Sequence, residues 1–224
     1  MTALAALLAL ADQRLPSGGH VHSGGVEQAV ADGLVRDVAG LRWFLRRRLA
    51  TSGRVAAGLA VAALDLAADG VAPLDAEADA RMPSPATREA SRAQGRGLLR
   101  TVRAAWAAPH DGLAWSGLGP RPHHPVVLGC AGRAAGLTAL QVATAAAYLS
   151  LSGPATAAQR LLALDPVDSA TATVDLSDDV DALAAQVAAT AHASGLADLP
   201  DDGDPLLDLL AERHAGRAMT LFAS

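Results

Sequence analysis

The amino-acid sequence predicts an all-α protein, a single-domain bundle of roughly eight to ten helices. Hydrophobic residues make up 51% of the chain, and many of them are alanine, the residue with the highest intrinsic helix propensity. Aromatic residues make up only 3% of the chain and β-branched residues are sparse, which disfavours strands. No alternating strand pattern runs for more than a few residues. With 224 residues, the chain is long enough to bury a core.

Capping residues locate the helices of the first half. Asp37 is an N-cap signal for a helix over 38–52, and Gly53 is expected to end that helix. A second, alanine-rich helix is expected directly afterwards, over 54–69. Ser84 is a strong start signal because a proline follows it at the first helical position, and that helix is expected to reach about residue 106.

Helices of the second half follow from the same signals. Thr138 is expected to cap one helix, and Pro154 to open the next. Both lie in the uncharged stretch 134–159, which is long enough for a membrane span but is built mainly from small and weakly polar residues. We therefore interpret it as a pair of buried core helices. A further helix over 178–193 precedes an acidic linker, and residues 206–224 form a C-terminal tail.

A loop rich in glycine and proline interrupts the helical pattern near the N-terminus. It spans residues 12–27 and reads D-Q-R-L-P-S-G-G-H-V-H-S-G-G-V-E. Glycine reaches backbone conformations that other residues avoid and proline fixes φ, so this segment is a shaped loop. Shaped loops on rigid scaffolds tend to carry recognition surfaces. We expect the following loop residues to bind a partner: Pro16, Gly18, Gly19, His22, Ser23, Gly24, Gly25 and Glu27.

Catalysis by this loop is not expected. Ser23 stands in an S-G-G sequence, but the chain has no G-x-S-x-G on a strand-to-helix turn, which a nucleophile elbow requires. Glu27 lies at a helix start, where a carboxylate interacts favourably with the helix dipole. A structural role therefore suffices to explain Glu27.

Two histidine pairs, His20 with His22 and His123 with His124, are the candidates for metal binding. A firm site needs three or four ligands and a second shell, and the chain has no H-E-x-x-H motif or thiolate pair to supply them. We interpret the histidines as incidental loop residues and expect no cofactor. A weak, transient metal contact at His22 remains the open alternative.

Four arginines at strict spacing four line one face of the helix that follows Ser84: Arg88, Arg92, Arg96 and Arg100. Like charges at this spacing repel by roughly 0.2–0.5 kcal/mol per pair. Two interpretations are equally open. The strip is either a solvated face whose stems cover apolar surface, or a docking strip for acidic groups.

Composition excludes several classes of function. All 18 basic residues are arginine, so lysine-dependent chemistry, including a P-loop, is absent. The single Cys130 excludes an internal disulfide and a Cys-x-x-Cys metal pair, and it fits a reducing cytosol. The net charge of −5 and the scarcity of aromatic residues argue against nucleic-acid binding.

These segments, in this order, resemble the UreF family of urease accessory proteins. The opening loop resembles the family pattern D-S-x-x-P-x-G-x-F-x-H-S-x-G-L-E, with His20 in place of the usual aromatic residue. The stretch 88–99 resembles R-E-A-S-x-x-x-G-x-x-L-L, and 124–137 resembles H-P-V-V-L-G-x-A-x-R-x-x-G-L. The chain's last five residues resemble R-L-F-x-S, with Thr220 in place of the arginine. The resemblance covers nearly the whole chain.

The resemblance implies an all-α adaptor without enzymatic activity. UreF proteins bridge the scaffold UreD, also called UreH, and the GTPase UreG during nickel insertion into apo-urease, and they regulate the GTPase. It further implies a cytoplasmic homodimer with no membrane segment. Residues 1–205 would form the helical domain and 206–224 a partner-binding tail, with Leu221, Phe222 and Ser224 as contacts.

Two other classes of function stay open from the sequence. One is a small metallo-enzyme that uses the two histidine pairs. The other is a helical interaction module unrelated to urease.

Overall fold

The computed structural model describes residues 2–16, 19–106, 115, 117–191 and 195–224. Helix α3 is continuous through three segments, Val38–Arg48, a π-helical turn at Leu49–Gly53, and Arg54–Asp65. The other helices are α1 (Ala3–Ala11), α2 (Val26–Ala31), α4 (Ala68–Ala80), α5 (Pro85–Ala105), α6 (His124–Ala134), α7 (Ala139–Leu162), α8 (Pro166–Val174), α9 (Ser177–Ala191) and α10 (Pro205–Ala215). Short 3₁₀ turns occur at Gly19–Val21 and Leu196–Asp198. The described residues contain no strand, so the predicted all-α bundle is confirmed and its number of helices falls in the predicted range.

Helix α7 lies at the centre of the bundle, packed against α1, α2, α3, α8 and α9. Helix α6 packs between α3 and α5, and α10 packs against α2 and α5. This last contact brings the end of the chain beside the opening loop. Within the described ranges, no helix is both long enough and apolar enough to cross a bilayer.

The predicted helix caps are confirmed. The side chains of Asp37, Ser84 and Thr138 each accept a hydrogen bond from the backbone N–H three residues further on. Each bond satisfies one of the backbone donors that a helix start leaves without an intrahelical partner. Short polar side chains before periodic apolar segments therefore correctly indicated where these three helices begin.

The prediction that Gly53 ends a helix was wrong. Gly53 has helical dihedrals, φ −66° and ψ −44°, and α3 continues through it. Its role is steric, because a Cβ at this position would lie 2.7 Å from the Ser150 hydroxyl oxygen. Gly53 thus lets α3 approach α7 closely.

The prediction that Pro154 opens a new helix was also wrong, because α7 runs through it without interruption. Proline has no N–H, so the carbonyl of Ser150, four residues earlier, lacks its helical donor. The Arg48 side chain replaces that donor, with its Nε–H donating to the Ser150 carbonyl oxygen at 3.1 Å. A long-range hydrogen bond therefore offsets part of the cost of the proline.

Helix α4 was missed by the sequence analysis, which assigned its first residues to the end of the preceding helix. Gly70 and Pro73 are poor residues for a helix interior. The segment is helical because Val71, Leu74 and Ala78 lie on one face and are buried in the core. Tertiary packing here outweighs local propensity.

Candidate functional site

The opening loop turns into α2 through two glycines with positive φ. Gly24 has φ +60° and Gly25 has φ +88°, a region that side chains with a Cβ rarely adopt. At Gly24 the space is also tight, because a Cβ would lie 3.0 Å from the guanidinium carbon of Arg48. Arg48 in turn donates to the Gly24 carbonyl oxygen at 2.6 Å. The loop shape that the glycines permit is therefore fixed by a side chain of α3.

Glu27 joins this loop to the end of the chain. Its carboxylate accepts the backbone N–H of Leu221 at 2.8 Å and that of Phe222 at 3.0 Å. Its Oε2 also accepts Nε2–H of His214 at 2.9 Å, and Glu27 is only 4% exposed. Burial by itself raises the pKa of Glu27, but these hydrogen bonds outweigh burial and the pKa lies below its usual value. Glu27 is thus an ionised anchor for the C-terminal residues.

A second set of bonds ties His22 and Ser23 to the last residues. His22 Nδ1 shares a hydrogen bond of 2.6 Å with the Ser224 hydroxyl. The backbone N–H of Ser23 donates to the Ser224 carbonyl oxygen, and the N–H of Ala223 donates to the Val21 carbonyl oxygen at 2.7 Å. We call this arrangement the loop–tail clamp and define it by the following residues: His22, Ser23, Glu27, His214 and 221–224.

The Ser23 side chain has a structural role in the clamp. It is completely buried, and its hydroxyl accepts the backbone N–H of Glu27 at 3.4 Å. A buried hydroxyl at a helix start satisfies a free backbone donor. A structural role therefore accounts for the serine before the glycine pair, and no catalytic role is needed to explain it.

The two apolar tail residues that the resemblance gives as partner contacts differ in exposure. Leu221 is 80% exposed, whereas Phe222 is 7% exposed and packs in this chain's own core. Phe222 shares that core with Leu207 and Leu210 of α10. The tail therefore docks on the chain through Phe222 and leaves Leu221 in solvent.

Two other loop residues contact the bundle less directly. The Pro16 carbonyl oxygen accepts the Thr101 hydroxyl of α5 at 2.9 Å, and Gly19 begins a 3₁₀ turn. Gly18, the remaining predicted loop residue, lies outside the described residues.

The four arginines of α5 do not form one surface. Arg88 donates to the carbonyl oxygens of residues 82 and 83, at 2.7 and 2.9 Å. Arg92 bridges two carboxylates of α4, with contacts of 2.9 Å to Asp75 and 2.5 Å to Asp79. Arg96 and Arg100 are exposed, and neither forms an ion pair with a described residue. The strip divides into two internal arginines and two outward-facing ones.

A partly buried polar cluster that the sequence analysis missed surrounds His123. His123 is completely buried, and its Nε2 lies 2.9 Å from Asp79. Because a carboxylate only accepts, Nε2 carries the proton and Nδ1 accepts the Ser91 hydroxyl at 3.0 Å. The His123 backbone N–H donates to Asp75 at 2.7 Å. We call Asp75, Asp79, Ser91, Arg92 and His123 the inner cluster.

The two histidine pairs are split by the fold. His123 points into the inner cluster, whereas His124 lines a cavity of about 430 Å³ together with His22. Burial lowers the pKa of His22 to about 4, with a further contribution from His20. Burial also lowers the pKa of His124 to about 4, helped by His22. The imidazoles of His22 and His124 are therefore neutral at pH 7.

These histidines do not make a metal centre with other described side chains. Within the described part of the chain, no group of three or more His, Cys, Asp or Glu side chains is placed to hold a metal ion. Three histidines line the cavity, His22, His124 and His214, but His214 Nε2 is hydrogen-bonded to Glu27.

Arg48 and His214 are the two residues of this region that sequence reasoning passed over. Arg48 stands in the R-R-R run at 46–48, which reads as a solvated helix end. The signal that singles it out is Pro154, whose missing N–H leaves a carbonyl that needs a distant donor. The pairing of His214 with Glu27 spans 187 positions of sequence, so no local pattern indicates it.

The chain is similar to known proteins over its whole length. A family model described as UreF matches residues 35–177. A protein of Mycolicibacterium vanbaalenii is 52% identical over 228 aligned residues, one of Mycobacterium marinum is 51% identical over 226, and one of Mycobacterium tuberculosis (strain ATCC 25177 / H37Ra) is 50% identical over 226. Each of the three is named "Urease accessory protein UreF", and each alignment covers 100% of both chains.

Proposed function

Since the chain belongs to the UreF family of urease accessory proteins, it acts in urease maturation, and we propose that it does so as a non-catalytic adaptor. In this proposal it bridges the scaffold UreD (UreH) and the GTPase UreG during nickel insertion into apo-urease, and it regulates the GTPase. We further propose that it works in the cytoplasm as a homodimer, which light scattering of the purified protein would test.

The observation that carries the proposal is the loop–tail clamp. The clamp engages the polar groups of the family-like loop in internal hydrogen bonds, including three to the Glu27 carboxylate. A hydrolytic site would need an accessible nucleophile, whereas the Ser23 hydroxyl is completely buried. The arrangement suits a fixed shape that another protein recognises.

Two surfaces border the clamp, and we assign one partner to each. The tail side exposes Leu221, 80% accessible, and Met219, 85% accessible. Exposed apolar side chains on a segment held in place favour a hydrophobic contact with another protein. We assign this side to the scaffold partner, with Phe222 and Ser224 positioning the segment from inside.

The loop side is assigned to UreG or to the route that the nickel cargo takes. Pro16 and Gly19 belong to the opening loop on this side of the clamp, and His22 lines the cavity behind it. The outward-facing Arg96 and Arg100 of α5 provide a further candidate contact for acidic groups of a partner.

The tail assignment is tested by capture of UreD. Leu221→Asp should weaken capture at least tenfold, because a charge replaces an apolar anchor in a contact that excludes water. The matched control is Val174→Asp, which makes the same change at another exposed apolar residue, 67% accessible, on α8.

Both variants should keep the circular dichroism and Tm of the wild type. Equal capture by Leu221→Asp and Val174→Asp would exclude the tail as the scaffold-binding surface. Deletion of all of 206–224 is a poor test, because it removes Leu207, Leu210 and Phe222 from the core.

A further inference from the structure

Helices α1, α7 and α9 contain long stretches of sequence without a charged residue, although 18% of the chain is charged. The uncharged stretches are 2–11, 134–159 and 182–190. Helices α1 and α9 both pack against α7, and all three helices contribute side chains to one core cluster. The three uncharged stretches are therefore neighbours in the fold.

Large apolar side chains of α1 and α7 are exposed on the sides of these helices that lie opposite the shared core cluster. On α1 they are Leu4 and Leu8, which are one helical turn apart. On α7 they are Leu140 and Tyr148, with Thr144 midway between them on the same side of the helix. We call these five residues the uncharged face.

Helix α1 lies along the first half of α7, beside these exposed residues. The α7 residues that enter the shared cluster lie between 139 and 149. Beyond them, a Cβ at Gly153 would lie 3.7 Å from the Gln13 side chain, which follows the end of α1. The exposed leucines of α1 and the exposed residues of α7 therefore belong to one region of the surface.

The composition of α1 indicates that its outer side is covered by another protein. A helix that is apolar on every side is normally buried on every side. Helix α1 has no charged residue, and it packs against α7 on one side while it exposes two leucines on the other. A continuous exposed apolar region of this kind is typical of a surface that contacts a protein.

The absence of charge favours a second copy of this chain as that protein. In a contact with twofold symmetry, residues near the axis meet their own copies, so a charge there would face the same charge. Two copies of a chain with a net charge of −5 also repel each other, and a contact without charged residues adds no local repulsion. Homodimer interfaces are more apolar than other protein interfaces.

We propose that the uncharged face is the contact between the two protomers of the homodimer, with Thr144 of α7 close to the twofold axis and α1 beside it. This inference rests on the proposed function, which includes a homodimer but assigns no surface to it. Leu8 and Tyr148 are the apolar anchors of the contact, and each is repeated by symmetry.

The test is sedimentation velocity of the purified full chain over a range of concentrations. In the double variant Leu8→Arg, Tyr148→Arg, the Kd of the dimer should rise at least about a hundredfold, because each charge would be buried without a partner in both protomers. Arginine also makes the net charge less negative, so overall charge repulsion cannot cause this dissociation.

The matched control is the double variant Leu209→Arg, Val167→Arg. It makes the same change at exposed apolar residues of α10 and α8, and Leu209 is 61% exposed against 64% for Leu8. This control should remain as dimeric as wild type, and both double variants should keep the wild-type circular dichroism.

The outcomes separate this inference from the homodimer itself. A wild-type protein that stays monomeric at tens of micromolar would overturn both. A wild-type dimer whose Kd changes equally in the two double variants would leave the homodimer standing and overturn its assignment to the uncharged face.

Disulfide cross-linking covers the case in which the Leu8→Arg, Tyr148→Arg protein fails to fold. The chain's single cysteine, Cys130, is buried, so an introduced surface thiol is the one that reacts. Mild oxidation should give a covalent dimer for Thr144→Cys but not for the control Leu209→Cys. Failure of Thr144→Cys to cross-link while it remains a dimer in solution would contradict the assigned position of the twofold axis.

Discussion

The loop–tail clamp and the inner cluster each bury a histidine against a carboxylate, but they hold different parts of the chain. In the clamp, Glu27 and His214 are 187 positions apart, and the other partners of Glu27 are backbone amides of the tail. In the inner cluster, Asp79 and His123 are 44 positions apart, and Arg92 adds two ion pairs to the α4 carboxylates. The clamp joins the two ends of the chain, whereas the inner cluster joins neighbouring elements of its middle.

This difference shows what each cluster can respond to. In the inner cluster, Arg92 pairs with both carboxylates, and the hydrogen bonds that define the cluster involve no tail residue. All three hydrogen bonds to the Glu27 carboxylate come from residues within 206–224, so displacement of the tail would leave a buried charge without these donors. The clamp therefore couples the shape of the opening loop to the position of the C-terminal residues.

The largest expected effect comes from breaking the clamp at its anchor. Glu27→Ala should lower the free energy of unfolding by about 3 kcal/mol, because three donors lose their acceptor in a buried site. Glu27→Gln keeps one acceptor oxygen and should cost less. Urea unfolding measures both, and hydrogen exchange should show loss of protection for the amides of Leu221 and Phe222.

The inner cluster provides the matched control for this prediction. His123→Ala should also destabilise the protein, by about 2 kcal/mol, through a cavity and lost hydrogen bonds. It should leave the tail amides protected. Loss of tail protection in His123→Ala would mean that the two clusters are coupled and that the comparison is wrong.

A smaller effect separates the two halves of the arginine strip. Arg92→Glu should destabilise the protein by about 2 kcal/mol, because it places a third carboxylate beside Asp75 and Asp79. Arg96→Glu with Arg100→Glu should change stability by less than about 0.5 kcal/mol, since both side chains are exposed. If these two bind acidic groups of a partner, the double variant should weaken complex formation, and rising salt should weaken the wild-type complex.

Normal complex formation by the Arg96→Glu, Arg100→Glu double variant would favour the solvated-face interpretation. A stable Arg92→Glu protein would contradict the internal role assigned to Arg92.

The smallest expected effect is a pH dependence of the free energy of unfolding, which arises from His22 of the clamp and from His124. His22 and His124 have pKa values of about 4 in the folded protein, below the ordinary value of 6.5 that applies to the unfolded chain. Between these values the unfolded chain binds more protons, so the free energy of unfolding should fall as the pH drops from 6.5 towards 4. His22→Asn should flatten this slope in urea unfolding at pH 7, 6 and 5.

Glu27 affects the free energy of unfolding in a lower pH range than the two histidines. Its lowered pKa contributes stability above its unfolded value of 4.5, and that contribution is lost as the pH falls through the folded value.

The His22 prediction would be contradicted if the free energy of unfolding changed equally with pH, between 6.5 and 5, in wild type and His22→Asn. That result would show that His22 is not buried in its neutral form.

Local signals in the sequence were sufficient for the fold class and for the helix caps. Alanine content indicated helices, and Asp37, Ser84 and Thr138 marked starts because a cap bond depends on residues three positions apart. The same local rules gave wrong boundaries at Gly53 and Pro154. There the deciding contacts are with Ser150 and Arg48, which are distant in sequence.

The site was predicted in part for the same reason. The glycines and polar residues of the opening loop were identified, since their backbone requirements are visible locally. The residues that this loop contacts within the chain were not identified, because the partners of Glu27 lie far away in sequence, at 214, 221 and 222. Spacing four correctly placed the arginines on one helix face, but it could not show that Asp75 and Asp79 of α4 pair with Arg92 on that face.

The central claim, that the clamp acts through its shape and not through chemistry, is tested most directly by urease activation in a reconstituted system. The key variant is Gly25→Ala, which removes no polar group but forbids the φ of +88° at the start of α2. We expect Gly25→Ala to impair activation as His22→Ala does, with helicity and dimerisation unchanged in both. Normal activation by both variants would contradict the claim and reduce the loop to a connection between helices.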